Sequence, residues 1–350
     1  MSSETPFGEC PMPVLDHDRV LLGHGSGGTL SAQLLERIFY PAFGNPMLDR
    51  QDDQAVFDAP GSRLAFTTDS YVVTPLFFPG GDIGRLAVNG TVNDLAMGGA
   101  RPLYLSAGFI LEEGLLLDDL RRIVLSMRAA AQEAGVQVVT GDTKVVGKGS
   151  GDQVFINTSG IGVVPAGVCI SAERAQPGDA VLLSGTVGDH GMAIMSQRES
   201  LGLEGTIASD TAPLHDLVAR MVEACPDLHA LRDPTRGGVA ATLHEIAGRA
   251  KVGIELEEGA VPVRDDVKGA CEILGFDPLY VANEGKLVAF VPGDAAEAVL
   301  KAMRAHACGR EAVRIGSVTG EHPGRVVVRT GIGGRRVLER PYGELLPRIC

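Results

Sequence analysis

Residues 118–142, DDLRRIVLSMRAAAQEAGVQVVTGD, decide the architecture. Leu120, Ile123, Val124, Met127, Ala130, Ala131 and Ala134 recur at i, i+3, i+4, i+7 spacing, which predicts a helix with one apolar stripe. Asp118 is placed to cap its start and Gly135 to end it. Val136–Thr140 then reads as a short buried strand that delivers Gly141 and Asp142 to its end. The same alternation continues in both directions. Upstream stand a strand at 103–110, a helix at 82–97 closed by Gly98-Gly99, and a strand at 64–68 ending on Asp69. Further upstream the apolar run 19–22 leads into Gly23–Gly28 and a helix from about residue 30 to 40. Downstream, a strand at 154–164 is followed by a loop with Pro165, Gly167, Pro177 and Gly178, where a domain boundary is expected. The second half then alternates again, with helices near 191–198, 212–224, 238–250, 265–274 and 295–306. Strands fall near 180–184, 254–256, 286–290, 313–318 and 326–328. Mixed alternation with hairpin-like strand pairs predicts an α+β fold. The expected divisions are a leader at 1–18, an N-terminal domain at 19–165, an α/β layered domain at 166–340 and a tail at 341–350. Two prolines and a glycine keep that tail out of regular structure.

Bulk properties narrow the function. The 350 residues carry 31 Lys and Arg against 44 Asp and Glu, a net charge of −13, with no basic run. Such a chain is a poor partner for nucleic acid or an anionic membrane surface. No apolar stretch reaches the roughly 18 residues of a membrane helix, and the first residues lack the basic and apolar regions of a signal peptide. Six cysteines, at 10, 169, 225, 271, 308 and 350, form no CxxC pair. Reduced thiols in a cytoplasm fit better than a disulfide framework or a zinc site.

Three groups of residues could carry chemistry. The loop 23–28 matches G-x-G-x-x-G through Gly23, Gly25 and Gly28, and its backbone amides could meet phosphate. In a chain with 46 glycines this match alone is weak, and a plain Gly-rich turn remains open. A Walker-type loop is absent, because five residues rather than four separate Gly141 from Gly147-Lys148. The second group is acidic: Asp52-Asp53, Asp69 in Thr67-Thr68-Asp69, Asp94 in Asn93-Asp94-Leu95-Ala96-Met97-Gly98, Asp142 in Gly141-Asp142-Thr143, and Asp233 in Asp233-Pro234-Thr235-Arg236-Gly237-Gly238. Most sit at strand ends or in Gly-flanked loops, where sites of α/β proteins gather. Hard oxygen donors of this kind hold Mg²⁺ against nucleotide phosphates. Each aspartate alone could equally be a cap or an Asx-turn. Glu284 could serve as a general base and Lys144 as an electrostatic partner, although each could also be a solvated charge. The third feature is Cys350, the last residue of the sequence, a thiol that an extended tail could carry up to roughly 30 Å.

In this order the motifs resemble the ATP-using superfamily of aminoimidazole ribonucleotide synthetase, thiamine-monophosphate kinase and selenophosphate synthetase. Gly25–Gly28, Asp52-Asp53, Thr67–Asp69, Asn93–Gly98, Gly141–Thr143 and Asp233–Gly238 carry the likeness, and Gly185 with Gly188–Gly191 resembles the start of that family's second domain. The ending Pro347-Arg348-Ile349-Cys350 is similar to one branch, the HypE family of NiFe-hydrogenase maturation factors.

The resemblance implies a homodimer whose N-terminal domains share a barrel. It implies ATP and Mg²⁺ as cofactors, with Gly25, Ser26, Gly27, Gly28, Thr67, Thr68, Asn93 and Thr143 at the nucleotide and Asp53, Asp69, Asp94, Asp142 and Asp233 at the metal. It further implies that the carbamoyltransferase HypF loads Cys350 with a carbamoyl group. ATP then drives dehydration to a thiocyanate with Lys144 and Glu284 assisting, and cyanide passes to a HypC–HypD complex. The alternative of the same fold is a small-molecule kinase or synthetase in which Cys350 is accidental.

Overall fold

The computed structural model describes residues 28–34, 36–37, 48–53, 55–59, 61–199, 207–342, 346 and 349. A short helix α1 (Thr29–Leu34) precedes a five-stranded sheet built from β1 (Ala55–Ala59), β2 (Ser62–Tyr71), β5 (Arg101–Glu112), β6 (Gln137–Val146) and β7 (Val154–Val164). Their order is β1-β2-β7-β5-β6, antiparallel except for the β5–β6 pair. A two-stranded ribbon, β3 (Phe77–Phe78) and β4 (Gly81–Asp82), leads into helix α2 (Ile83–Met97). Asp82 starts α2, its Oδ1 accepting from the Gly84 and Arg85 amides at 2.7 and 3.1 Å. Helix α3 (Leu117–Glu133) connects β5 to β6.

Thirteen of the fifteen residues of α2 are buried, leaving only Arg85 and Asp94. A helix buried around its whole circumference must be covered on every side and its polar side chains hydrogen-bonded, as Asn89 Nδ2, Thr91 and Asn93 are, and α2 lies between the first sheet and the second domain. Arg85 reaches Glu133 at 2.6 Å, whereas Asp94 opens into the site described below.

The second domain is a seven-stranded sheet of order β14-β13-β10-β12-β8-β11-β9. Its strands are β8 (Ala180–Leu183), β9 (Ala230–Arg232), β10 (Gly253–Glu257), β11 (Val288–Val291), β12 (Val313–Thr319), β13 (Val326–Arg329) and β14 (Arg335–Leu338). Every residue of β8 and β11 is buried, as expected of central strands covered on both faces. The helices are α4 (Asp189–Arg198), α5 (His215–Ala224), α6 (Gly238–Ala250), α7 (Asp265–Leu274) and α8 (Ala296–Arg304). One core joins Ile83, Leu86 and Ile156 to Met192, Ile194 and Val281 of the second domain. Another joins Leu95 and Met97 to Leu217 and Leu300. Among the described residues no helix is long and apolar enough to cross a membrane.

Two local expectations change. Asp118 lies inside the first turn of α3, where Leu116 occupies the cap position without a side-chain bond. Strand β6 is not buried. It continues through Asp142 and Lys144, and nine of its ten residues are exposed. As the last strand of its sheet it has a neighbour on one side only, so an apolar sequence there faces outward. The outer face of the sheet is apolar as well: Phe66, Ile161 and Tyr104 are direct cross-strand neighbours on β2, β7 and β5, and all three are exposed.

Candidate functional site

Three carboxylates converge from distant parts of the chain. Asp53 precedes β1, Asp94 lies on the exposed side of α2, and Asp233 directly follows β9. One oxygen from each lies within 4.8 Å of the others. Asp69 and Thr68 of β2 line the same cavity of about 240 Å³, together with Thr235, Arg236 and Glu245. Burial pushes the Asp53 carboxyl up to about 8 and that of Asp233 to about 6, and in both cases the Arg232 guanidinium opposes the shift. Asp94 is driven well above the usual carboxylate range, first by burial and then by Asp233 and Asp69. Arg232 spans Asp53 at 3.0 Å and Glu245 at 2.8 Å. Burial alone would favour the neutral guanidine, but these carboxylates outweigh it and raise its proton affinity. Three hard oxygen donors held this close are mutually repulsive unless protonated or bridged by a cation, and the donor set fits Mg²⁺.

Two residues expected at the nucleotide, Thr67 and Asn93, act instead on the protein. Thr67 Oγ1 lies 2.9 Å from Asp94 Oδ2 and 3.0 Å from the Asp53 backbone carbonyl, so its one hydroxyl proton is shared between them and fixes the Asp94 carboxylate against the backbone of Asp53. Asn93 spends its amide on the second domain: Nδ2 donates to the carbonyls of Ala212 and Glu284, and Oδ1 accepts from the Leu214 amide at 2.8 Å. Both donors and one acceptor position of this buried amide are spent on the second domain, so Asn93 is a clamp between domains. Asp52 is likewise structural, accepting from Ser171 Oγ and the Ala172 amide at 3.1 Å. Thr68 keeps its place on the cavity wall.

Glu284 is 3% exposed, and its Oε1 has no hydrogen-bond partner among the described residues. Burial raises its proton affinity well above that of an ordinary glutamate, with Asp233, Asp210 and Asp69 adding to the shift. Its backbone amide donates to Asp210 Oδ1 at 3.0 Å, while Asp210 Oδ2 binds Lys286 at 3.0 Å. Gly285 permits this approach, because a Cβ there would lie 1.8 Å from the Asp210 carbonyl oxygen. A buried carboxyl next to a metal-type cluster is suited to proton transfer.

Asp142, Thr143 and Lys144 do not join the cluster within one chain. Asp69 pairs with Thr158, Thr158 with Ala107, and Ala107 with Gly141. At the usual strand spacing this row places the start of the Asp142–Lys144 segment about 14 Å from Asp69. Lys144 instead bonds Asp142 at 2.5 Å on the exposed strand. Gly25, Ser26, Gly27 and Cys350 lie outside the described residues. Gly28 is buried, and the neighbouring Thr29 amide donates to the Pro341 carbonyl at 2.9 Å, joining the end of the Gly-rich loop to the root of the tail.

Sequence reasoning missed Arg232, Glu245, Asp210 and His190. Arg232 stands immediately before Asp233 and was in view. His190 lies within the Gly188–Gly191 motif, where nothing marks it for a role, and Glu245 and Asp210 have no local pattern and are recognised only by what the fold brings to them.

Comparison with known proteins agrees with this geometry. Residues 51–164 match the AIR synthase related protein N-terminal domain, and residues 176–329 match the corresponding C-terminal domain. The carbamoyl dehydratase HypE of Azotobacter vinelandii is 57% identical over 336 residues, covering 96% of this chain and 98% of that protein. A HypE crystal structure in complex with ATP superposes with a TM-score of 0.80 at 52% identity, covering 95% of this chain and 100% of the other. The crystal structure of a HypE–HypF complex superposes with a TM-score of 0.84 at 51% identity, covering 88% of this chain and 99% of the matched chain. With both domains matched and more than half of the residues identical over nearly the whole length, the chain belongs to the HypE family of carbamoyl dehydratases, which serve hydrogenase maturation.

Proposed function

We propose that the protein uses ATP to dehydrate an S-carbamoyl group on Cys350 to a thiocyanate, yielding ADP and phosphate, in a reducing cytoplasm. The observation that carries this reading is the convergence of Asp53, Asp94 and Asp233 beside the buried Glu284. The carbamoyl oxygen attacks the γ-phosphorus of ATP, ADP leaves, and one N–H proton is lost. Loss of the second N–H proton then expels phosphate and leaves S–C≡N. Bound Mg²⁺ would neutralise the phosphate charge in this site. The residues of the chain do the rest. Thr67 holds Asp94 in place, and Asp210 fixes the backbone of Glu284. The ionised form of Glu284 is a stronger base than an exposed glutamate and accepts an N–H proton.

HypF supplies the carbamoyl group and a HypC–HypD complex accepts the cyanide. The active unit is a homodimer in which the apolar stripe Phe66–Ile161–Tyr104 and strand β6 form the shared barrel. The β6 strand of a second copy then contributes Asp142, Thr143 and Lys144 to the site, and the Gly-rich loop 25–28 covers the nucleotide. The test is intact-mass spectrometry after incubation with HypF, carbamoyl phosphate and Mg-ATP. A carbamoyl adduct on Cys350 that loses one water upon ATP turnover is expected. An unmodified Cys350, or an adduct unaffected by ATP, overturns the reading. Full turnover of a free substrate by Cys350→Ala would favour a small-molecule kinase.

A further inference from the structure

We propose that His190 is the latch that seats the end of the chain inside the protein, a positioning residue whose Nε2–H holds the carbonyl of Ile349. The proposal rests on the reading that Cys350, the next residue, carries the reacting group. His190 is fully buried on α4. Its Nε2 lies 2.8 Å from the Ile349 carbonyl oxygen and its Nδ1 lies 2.8 Å from Ser209 Oγ. A carbonyl only accepts, so Nε2 carries the proton. The Ser209 hydroxyl, which also receives the Thr211 amide at 3.2 Å, donates to Nδ1. The ring is held edge-on to Phe78, with centroids 5.6 Å apart. Among the described residues Nε2 has no partner other than Ile349, so removing the tail would leave a buried N–H unpaired.

Ile349 and Leu346 are placed to accept this hold. Ile349 is 2% exposed and packs in the same core as Met192 and Val281. Leu346 crosses Gly191, where a Cβ would lie 3.3 Å from Leu346 and 2.4 Å from Val281. Ser209 is followed by Asp210, which holds the Glu284 amide. The latch and the proton-transferring residue are thus fixed by adjacent positions of one loop. An isoleucine side chain in the core sets the depth of the tail, and the single hydrogen bond sets its register.

The experiment is timed carboxypeptidase digestion of the full chain, followed by intact mass, scoring successive release of Cys350 and Ile349. His190→Leu removes the donor, and release of Cys350, the step that cuts the Ile349–Cys350 bond whose carbonyl His190 holds, is expected to accelerate about tenfold or more, the effect of leaving that buried carbonyl unpaired. His190→Gln keeps an amide N–H near the Nε2 position and is expected to stay within about threefold of wild type, a rescue that a space-filling role would not produce. Ser209→Ala, which loses only the support of Nδ1, is expected to fall between the two, and it decides the matter if His190→Leu does not fold. Release at the wild-type rate from a folded His190→Leu, or from Ser209→Ala in its place, overturns the latch. So does equal acceleration by the Leu and Gln variants. The digestion needs neither ATP nor a carbamoyl group, so a failure of the dehydratase reading would show separately as an unmodified Cys350.

Discussion

Replacing Asp233 by Asn gives a sharp test of whether the acidic cluster is built for a cation. Asp233 is 8% exposed, and burial lifts its carboxyl from 3.8 to about 6. A carboxyl whose folded value is raised costs stability once the pH exceeds its unfolded value. The stability present below about pH 4 is lost as the pH climbs towards 6. The full loss corresponds to about 3 kcal/mol, and about half of it is already present at pH 5. Asparagine cannot ionise but preserves shape, and its Oδ1 retains the acceptor. Metal-free Asp233→Asn is therefore expected to be more stable than wild type by about 3 kcal/mol at pH 8, or about 4 °C for a chain of this size. The gain shrinks to about half at pH 5. Scanning calorimetry in EDTA reads both values. Adding Mg-ATP should then raise the wild-type melting temperature and leave that of the variant nearly unchanged. A variant that melts below wild type at pH 8, or a gain of the same size at pH 5, would refute the reasoning, because the cluster would then be a net stabilising network.

Three further outcomes are expected. Glu284→Gln should slow dehydration of carbamoylated Cys350 by about a hundredfold or more while HypF-dependent carbamoylation proceeds, as followed by intact mass; an unimpaired variant would remove Glu284 from the chemistry. Ile161→Lys places a charge in the middle of the apolar stripe and should convert the protein to monomers in sedimentation velocity, with loss of turnover; an unaltered sedimentation coefficient would place the dimer contact elsewhere. Because burial pushes Asp53 up to about 8 and raises Asp94 as well, Mg²⁺ should displace at least one proton on binding, so affinity measured by calorimetric titration should rise at least about tenfold between pH 6 and 7; a flat profile would show that the ion does not compete with protons on these carboxylates.

Helix α3 was legible because its stripe is periodic, and α2 because Asp82 and Gly98-Gly99 punctuate it. Three of the five aspartates form the cluster and a fourth lines its cavity: Asp53 and Asp233 flank strand ends, whereas Asp69 lies within β2, which runs on to Tyr71, and Asp94 lies within α2. What misled was exposure. The apolar start of the run, Val136 to Val139, reads as a buried strand, but the strand continues through polar Asp142 and Lys144 at the edge of the sheet and faces outward. Asn93 and Thr67 stand beside key aspartates in sequence, yet their side chains turn to Ala212 and to Asp94. No local pattern distinguishes a residue that touches a ligand from one that aims its neighbour. The prolines of the tail correctly exclude regular structure, but that Ile349 finds a hydrogen-bond donor on α4 depends on residues 159 positions away.

The burial of α2 on every side bears on how this protein can be divided. Its residues belong to two apolar cores that each cross from the first sheet to the second, and Asn93 adds three hydrogen bonds in the same direction. The two halves are therefore one cooperative unit. A fragment ending near residue 165 would expose the face of α2 that covers Leu217 and Met192, and the complementary fragment would lose the helix that closes its sheet. Split or fused versions of this enzyme are best cut within exposed surface turns such as Gly331–Gly334, not at the apparent seam between its two halves.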